Sequence, residues 1–275
     1  MEKGLYLVST PIGNLNDMTD RARQTLEQAT VIACEDTRTT NKLLMLLGIS
    51  TTAKMLAYHE YNADKMRPTL ISLLEKGETI ALVSDAGTPL VSDPGYRLVR
   101  DCLDQGITVF PVPGANALLP ALQLSGLPSD RFFFVGFLST KKNARQKELQ
   151  EVAAVPGTLI FYESPHRVKD TLTDMLTILG NRQASVVREI TKKFEETKRG
   201  TLYDLIAEFA QEPKGEIVIL VDRPQPVQEK IDLNDLLKNA LSTKTVKDAA
   251  AQIAKKTGLP KKQVYQKALE LKYEE

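Results

Sequence analysis

The sequence has no tryptophan, two cysteines and two histidines in 275 residues. So few thiols exclude a disulfide-rich secreted scaffold. The cysteines, Cys34 and Cys102, both lie in apolar stretches, and no group of histidines and cysteines has the spacing of a zinc site. We therefore expect a cytoplasmic protein that holds no metal.

An excess of either charge is also absent. The 36 basic and 35 acidic residues give a formal net charge of +1, which excludes a histone-like nucleic-acid binder but not a local basic patch. The densest apolar run, Phe132–Leu138, is much too short to span a bilayer, and Met1–Gly4 leads into a strand pattern without signal-peptide features. We expect a globular protein with no membrane partner.

What the sequence does contain is a long alternation of apolar strand patterns and helical patterns. Strands are predicted at residues 5–8, 31–34, 55–58, 79–83, 107–112, 132–137, 158–162, 185–190 and 216–221. Helices are predicted between them, among others at 20–28, 39–47, 63–76 and 115–124. Because the strands are almost entirely apolar, helices should cover both faces of each sheet, and the predicted fold class is α/β.

Two proline-rich stretches, at 111–113 and 222–226, predict domain boundaries. They divide the chain into an N-terminal α/β domain, a second α/β domain, and a linker with a helical tail. The predicted ranges are 1–113, 114–224 and 225–275.

The tail has a different character, because no strand pattern occurs beyond Leu233. Two short helical patterns flank a glycine turn at 257–260, which is typical of a helix-turn-helix. Between Lys238 and Lys267 there are eight lysines and one acidic residue, Asp248. Such a face suits phosphate groups, although lysines also keep a small helical bundle soluble, and both interpretations stay open.

The familiar nucleotide-binding motifs are missing: no G-x-G-x-x-G follows the first strand, and there is no P-loop. Instead Ser84–Gly95, with two residues each of Gly, Asp, Pro and Ser, follows an apolar strand. The carboxyl end of a strand is where open α/β sheets bind ligands. Glycine allows close backbone approach and proline fixes the path, so the segment predicts a loop shaped around a polar small molecule. An ordinary turn-rich loop is the alternative.

Polar loops also follow the first two strands. Ser9–Leu15 follows the first and should face the same crevice. Glu35, Asp36 and Arg38 follow the second. Asp36 or Thr37 alone would cap the next helix, but the cluster carries more charge than a cap requires, which favours a role in a site.

Two further loops belong to the second half. The start of a helix is a sufficient explanation for Ser164 and Pro165, but it does not explain why Glu163 precedes them. Residues 187–196 carry dense mixed charge, which is consistent with a solvated hairpin or with a rim facing phosphates.

Six segments of the sequence, taken in order, resemble one bacterial family, the 16S ribosomal RNA small-subunit methyltransferases I of the tetrapyrrole methylase superfamily. The matching segments are Val8–Leu15, Glu35–Arg38, Ser84–Gly95, Pro113–Asn116, Glu163–Arg167 and Arg188–Lys192. The resemblance spans about residues 4–222, and the tail resembles the family's helical extension.

The resemblance implies a two-domain, class III methyltransferase fold that is not of the Rossmann type, with S-adenosylmethionine in the cleft between the domains. It implies 2′-O-methylation of a cytidine in the decoding region of 16S ribosomal RNA, with the 30S subunit as partner, and a homodimer. A small-molecule methylase acting on a tetrapyrrole precursor and a non-catalytic RNA-binding assembly factor are the alternatives.

The resemblance also implies roles for particular residues. The expected cofactor-binding residues are Pro11, Gly13, Ser84, Asp85, Ala86, Gly87, Pro113, Gly114, Ala115, Asn116, Glu163 and Ser164. Transfer to a hydroxyl oxygen benefits from a proton acceptor, for which Glu35 or Asp36 is expected, with Arg38 holding a phosphate. Glu189 or Lys192 is the rival acceptor. The expected RNA-binding residues are Arg188, Lys192, Lys193, Lys261 and Lys262.

Overall fold

The computed structural model describes residues 1–225 and 233–273. The chain divides into two compact units, Met1–Pro224 and Gln225–Glu275. The predicted boundary after residue 113 falls inside the first unit and stays a prediction. No helix among the described residues is long and apolar enough to cross a membrane.

The first sheet of the larger unit has five parallel strands in the order β3-β2-β4-β1-β5. Its strands are β1 (Gly4–Val8), β2 (Val31–Cys34), β3 (Lys54–Ala57), β4 (Thr79–Val83) and β5 (Val109–Val112). Its helices are α1 (Asp20–Gln28), α2 (Thr37–Leu47), α3 (Ala63–Glu75) and α4 (Tyr96–Asp104).

Alternate residues of the same strand enter two different hydrophobic cores. In β4, Ala81 and Val83 pack with α1 and α2 on one face, whereas Ile80 and Leu82 pack with α3 and α4 on the other. A strand covered on both faces has few positions for a polar side chain, and β4 is apolar after Thr79, whose hydroxyl accepts a hydrogen bond from the Thr30 N–H. The predicted α/β class is confirmed.

The second sheet has the order β6-β7-β10-β8-β9 and is mixed. Its strands are β6 (Phe132–Phe137), β7 (Thr158–Glu163), β8 (Gln183–Arg188), β9 (Glu196–Thr201) and β10 (Ile217–Val221). Its helices are α5 (Leu118–Ser125), α6 (Lys142–Val152), α7 (Val168–Leu179) and α8 (Leu202–Glu208). Only β6 and β7 are parallel; β10 runs antiparallel to both of its neighbours.

Several predicted bounds were wrong for local reasons. The helix expected from residue 39 begins at Thr37, because the Asp36 side chain accepts a hydrogen bond from the Arg38 N–H and caps it. The helix expected from 115 begins at Leu118, after Asn116 accepts a bond from the Leu119 N–H. The strand β9 was not predicted, since it is a polar edge strand; it pairs with β8, so the hairpin interpretation of residues 187–196 is confirmed.

The smaller unit contains α9 (Leu233–Leu241), α10 (Val246–Thr257) and α11 (Lys261–Tyr273). Its core is formed by Leu237, Ala250, Ile253, Val264 and Ala268. Helix α10 ends at Gly258 in the left-handed conformation (φ 72°), so the predicted helix–turn–helix is confirmed and α9 packs against it as a third helix.

Candidate active site

A cavity of about 340 Å³ lies within the larger unit, between its two sheets. Ile12, Glu35, Asp85–Thr88 and Asn116 come from the ends of β1, β2, β4 and β5, which meet at one edge because these strands are parallel. The second sheet and its loops supply the rest of the wall, with Phe137, Tyr162, Glu163, Pro165 and Gly215–Val218.

Hydrogen bonds join the loops of the first sheet to one another. Thr10 and Gly87 exchange both backbone bonds, at 2.9 and 3.0 Å between N and O. The Thr88 hydroxyl lies 3.0 Å from that of Ser9 and donates to the Ala115 carbonyl at 3.1 Å. The predicted convergence of these loops on one crevice is therefore present in the structure.

Two glycines allow this close approach. Gly87 has φ 84°, a conformation that residues with a Cβ rarely adopt. A Cβ on Gly114 would lie 2.9 Å from the Ser9 Cβ, so the loop after β5 contacts the loop after β1 only because residue 114 has no side chain.

The expected cofactor residues fall into two groups. Those that line the cavity are Asp85, Ala86, Gly87, Asn116 and Glu163. Pro11, Gly13, Ser84, Pro113, Gly114, Ala115 and Ser164 lie behind this wall or beside it. The buried Ser84 hydroxyl, for example, donates to the Ala86 carbonyl at 3.2 Å and so shapes its own loop.

The wall is acidic. Its carboxylates belong to Glu35, Asp85, Asp93, Glu163 and Glu216, and no lysine or arginine lines it among the described residues. Burial raises the pKa of Asp93 to about 6, and the carboxylates of Glu35 and Asp85 add to the shift. Burial also raises the pKa of Glu35 and of Asp85. Such a wall favours a cationic ligand.

Glu163 differs from the other four carboxylates because its oxygens are engaged by hydrogen-bond donors and an arginine of the protein itself. It accepts from the Ser164 N–H at 2.7 Å and the Thr171 hydroxyl at 2.5 Å, and the Arg167 guanidinium is 3.4 Å away. Its side chain is 1% exposed. We infer that Glu163 fixes the turn after β7.

Asp36 and Arg38 are placed outside the cavity. Arg38 Nη2 lies 2.7 Å from Asp36 Oδ2, and its hydrogen bonds lower the pKa of Asp36 to about 2. The Arg38 side chain is 91% exposed. The Asp36 backbone N–H donates to Asp85 Oδ1 at 3.2 Å, so the segment contributes to the cavity by holding Asp85.

Lys192 and Glu189 form a bridge to the rim of the cavity. Lys192 Nζ lies 2.9 Å from both Glu189 Oε1 and Glu216 Oε2, and Glu216 lines the cavity. Burial alone would lower the pKa of Lys192, but the hydrogen bonds to the two glutamates outweigh it and the net shift is upward. Lys192 is therefore a cation that neutralises the rim.

The expected RNA-binding residues belong to both units. Arg188 Nε is paired with Glu196 at 2.6 Å, and Lys193 is exposed beside the Phe194 ring. Lys261 and Lys262 are exposed in the first turn of α11, in the smaller unit.

Sequence reasoning missed part of the wall. Asp93 was in the Ser84–Gly95 segment but carried no assigned role. Tyr162 and Glu216 were not expected, because the sequence does not show that β10 runs antiparallel to β7, which brings the start of β10 beside the end of β7. Phe137 was not expected, because the sequence does not show the irregularity in the pairing of β6 with β7.

Residues 4–206 match the family model of the Tetrapyrrole (Corrin/Porphyrin) Methylases. Among solved structures, the chain resembles the methyltransferase CobJ with a TM-score of 0.60, at 17% identity over 80% of this chain and 94% of that one. It also resembles uroporphyrin-III C-methyl transferase from Thermus thermophilus complexed with S-adenyl homocysteine, with a TM-score of 0.56, at 20% identity over 79% and 96%. The molecule therefore has the fold of a tetrapyrrole methylase.

Residues 228–272 match a second family model, the RsmI C-terminal HTH domain. Curated relatives named Ribosomal RNA small subunit methyltransferase I include one from Mesorhizobium japonicum, 49% identical over 99% of this chain and 93% of that protein. One from Escherichia coli O157:H7 is 44% identical over 97% and 94%. The chain belongs to this family of the tetrapyrrole methylases, which confirms the resemblance seen in the sequence.

Proposed function

We propose that this protein transfers a methyl group from S-adenosylmethionine to small-subunit ribosomal RNA, at the 2′-hydroxyl of a cytidine in the decoding region. The acidic cavity at the converging strand ends is the observation that carries this proposal. The relatives' name supports the RNA, and the cytidine and its 2′-oxygen follow from the resemblance seen in the sequence.

The residues of the cavity fit the methyl donor. S-adenosylmethionine carries a sulfonium and an ammonium group against one carboxylate, so it is a net cation, as the carboxylates of Glu35, Asp85 and Asp93 require. The volume is within the range of small-molecule sites. The loops at Asp85–Gly87 and Asn116 would hold the donor. Bound there, it supplies a methyl group on a sulfonium that is already a good leaving group.

Because the leaving group is good, the protein contributes mainly by positioning the attacking hydroxyl. The hydroxyl proton must also be accepted. Of the four expected acceptors, Glu35 lines the cavity and has a raised pKa, whereas Asp36 is tied to Arg38 outside it. Glu189 and Lys192 are paired with each other. We assign proton acceptance to Glu35.

Single-turnover methylation of small ribosomal subunits from cells lacking the gene tests this assignment. Glu35→Gln should slow the methyl transfer step by about 10²-fold or more, while Asp36→Asn, which removes the neighbouring charge, should retain most of the rate. A Glu35→Gln rate close to that of the unmodified protein would refute the assignment.

The function itself is tested by mass-spectrometric mapping of 2′-O-methyl groups in the same ribosomal RNA. We expect one cytidine to lack its methyl group and to regain it when the purified protein and the donor are added. Complete methylation in the deletion strain would contradict the proposal. The exposed Lys193, Lys261 and Lys262 are proposed to contact RNA phosphates, while Arg188 is engaged with Glu196. The homodimer and the cytoplasmic location stay predictions.

A further inference from the structure

An aromatic ring stands at the mouth of the cavity. Phe137, the last residue of β6, is 60% exposed although it lines the cavity wall. Isolated exposed apolar side chains are ordinary, but an exposed aromatic ring at the mouth of a binding cavity is a surface on which a flat ligand can stack.

The backbone of β6 is distorted in a way that places this ring. The pairing of β6 with β7 shifts between Phe134 and Gly136, and Gly136 has φ 82°. In a regular strand Phe134 and Phe137 would point to opposite faces. The extra residue returns both rings to the same face, where each packs against Tyr162.

Tyr162 supports the ring from one side. Its ring meets that of Phe137 edge-on at 5.5 Å between centroids, and that of Phe134 at 4.8 Å. Burial raises the pKa of Tyr162 to about 12, so the phenol stays neutral at working pH. Phe137 therefore packs edge-on against a half-buried ring and leaves 60% of its surface exposed.

Beyond Phe137 lies a second depression, which we call the Lys141 hollow. It has a volume of about 540 Å³ and is lined by Phe137, Leu138, Ser139, Thr140, Lys141, Ala144 and Arg167. Arg167 donates to the carbonyls of Leu138 and Ser139, at 2.8 and 3.1 Å, and so fixes the wall. Phe137 thus separates an acidic cavity from a hollow with an exposed lysine.

We propose that the base of the target nucleotide stacks on Phe137, and that the adjoining phosphate lies in the Lys141 hollow. The inference rests on the proposed function and deepens it. A 2′-hydroxyl reaches an enclosed methyl donor only if its nucleotide leaves the RNA stack, and proteins hold such bases on aromatic rings. The acidic cavity repels phosphate, whereas Lys141 attracts it, which places the adjoining phosphate outside the cavity and in the hollow.

The absence of tryptophan from the chain makes a direct test possible. Phe137→Trp introduces the sole tryptophan, whose fluorescence should be quenched by a single-stranded, cytidine-containing RNA oligonucleotide and changed little by S-adenosylhomocysteine. If S-adenosylhomocysteine in the absence of RNA quenches the fluorescence as strongly as RNA does, the ring belongs to the cofactor site and the inference is wrong. No response to RNA would overturn it as well.

Kinetics on small ribosomal subunits give a second readout. Phe137→Ala should raise the KM for RNA by about 10- to 100-fold, the value of one lost base–aromatic contact. The affinity for S-adenosylhomocysteine, whose cavity Phe137 also lines, should change much less. Phe137→Tyr should restore the KM. Tyr203→Ala is the matched control, because Tyr203 is also an exposed aromatic residue and lines neither depression.

Three other outcomes have separate meanings. If Phe137→Ala changes the sedimentation of the protein, the ring belongs to an interface between copies and the inference is wrong. If the unmodified protein binds no S-adenosylhomocysteine, the proposed function fails. If it binds and methylates normally while Phe137→Ala matches it, the stacking inference alone fails.

Discussion

The charge of the cavity depends on pH through Asp93. Its pKa is raised to about 6, mainly by burial, so the carboxylate loses its charge as the pH falls through 6. We expect the affinity for S-adenosylmethionine to fall between pH 7 and pH 5, and Asp93→Asn to remove most of that dependence. Calorimetric titrations across this range measure it. Asp170→Asn, at an exposed position on α7, should keep the dependence of the unmodified protein.

Ionisation of Asp93 has opposite effects on binding and on folding: it strengthens binding of the donor and lowers the stability of the folded protein. A carboxyl group whose pKa is higher in the folded state contributes stability at low pH, and this contribution is lost as the pH rises through the folded pKa. The contribution of Asp93 therefore declines between about pH 4 and its folded pKa of about 6. Asp93→Asn should remove that decline from thermal unfolding curves, while it weakens binding of the donor at neutral pH.

Gly114 is a second residue with a testable role. An alanine there would place its Cβ 2.9 Å from that of Ser9, so the loops after β1 and β5 must separate. We expect Gly114→Ala to cost about 1–3 kcal/mol of stability and to weaken binding of S-adenosylhomocysteine. Gly106→Ala is the control, because a Cβ there meets nothing within 4 Å; it should lower stability through its positive φ and leave binding intact.

At the scale of elements, α6 and α7 are joined by a buried ion pair. Arg145 Nη2 lies 2.6 Å from Asp174 Oδ2, both side chains are almost inaccessible, and Gln146 donates to the other carboxylate oxygen. Removing one partner leaves the other charge buried without compensation. Asp174→Ala should lower the free energy of unfolding by about 3–5 kcal/mol in urea denaturation. The exposed pair of Arg100 and Asp104 is the control, and Asp104→Ala should change it by less than about 1 kcal/mol.

Prediction from sequence succeeded for elements whose burial is visible in their apolar composition. The strand β2 was predicted with its correct bounds because both of its faces are covered and every residue is apolar. The strand β9 was missed because it is a polar edge strand, whose formation depends on pairing with β8 rather than on burial. Pairing between distant segments leaves little trace in local composition.

The candidate site was also predicted only in part. The loops after β1, β2 and β4 were found because they must follow apolar strands, and glycine and proline mark their shape. The direction of each side chain was not predictable. Asp36 lies outside the cavity because it caps α2, and Phe137 lies at the cavity mouth because of a bulge. Both positions depend on backbone geometry.

At the scale of the whole molecule, the tail distinguishes the competing functions. A chain that ends at Pro224 retains the complete cavity, so it should bind S-adenosylhomocysteine as the full chain does. If the protein acts on RNA, the shortened chain should bind the small ribosomal subunit more weakly than the full chain does. The difference should be larger at low salt, because lost phosphate contacts reduce the salt dependence of binding. The full-length variant with Lys261→Glu and Lys262→Glu should show a smaller loss of the same kind. Unchanged RNA methylation by the shortened chain would contradict a role of the tail in binding RNA.

The position of β10 has a consequence for the order of synthesis. This strand is the last of its sheet to leave the ribosome, yet it lies in the middle, between β7 and β8. A nascent chain that has not yet released Ile217–Val221 lacks both the centre of that sheet and part of the cavity wall. The methyl donor therefore has no complete binding site until β10 has been released, and its binding reports that the larger unit is finished.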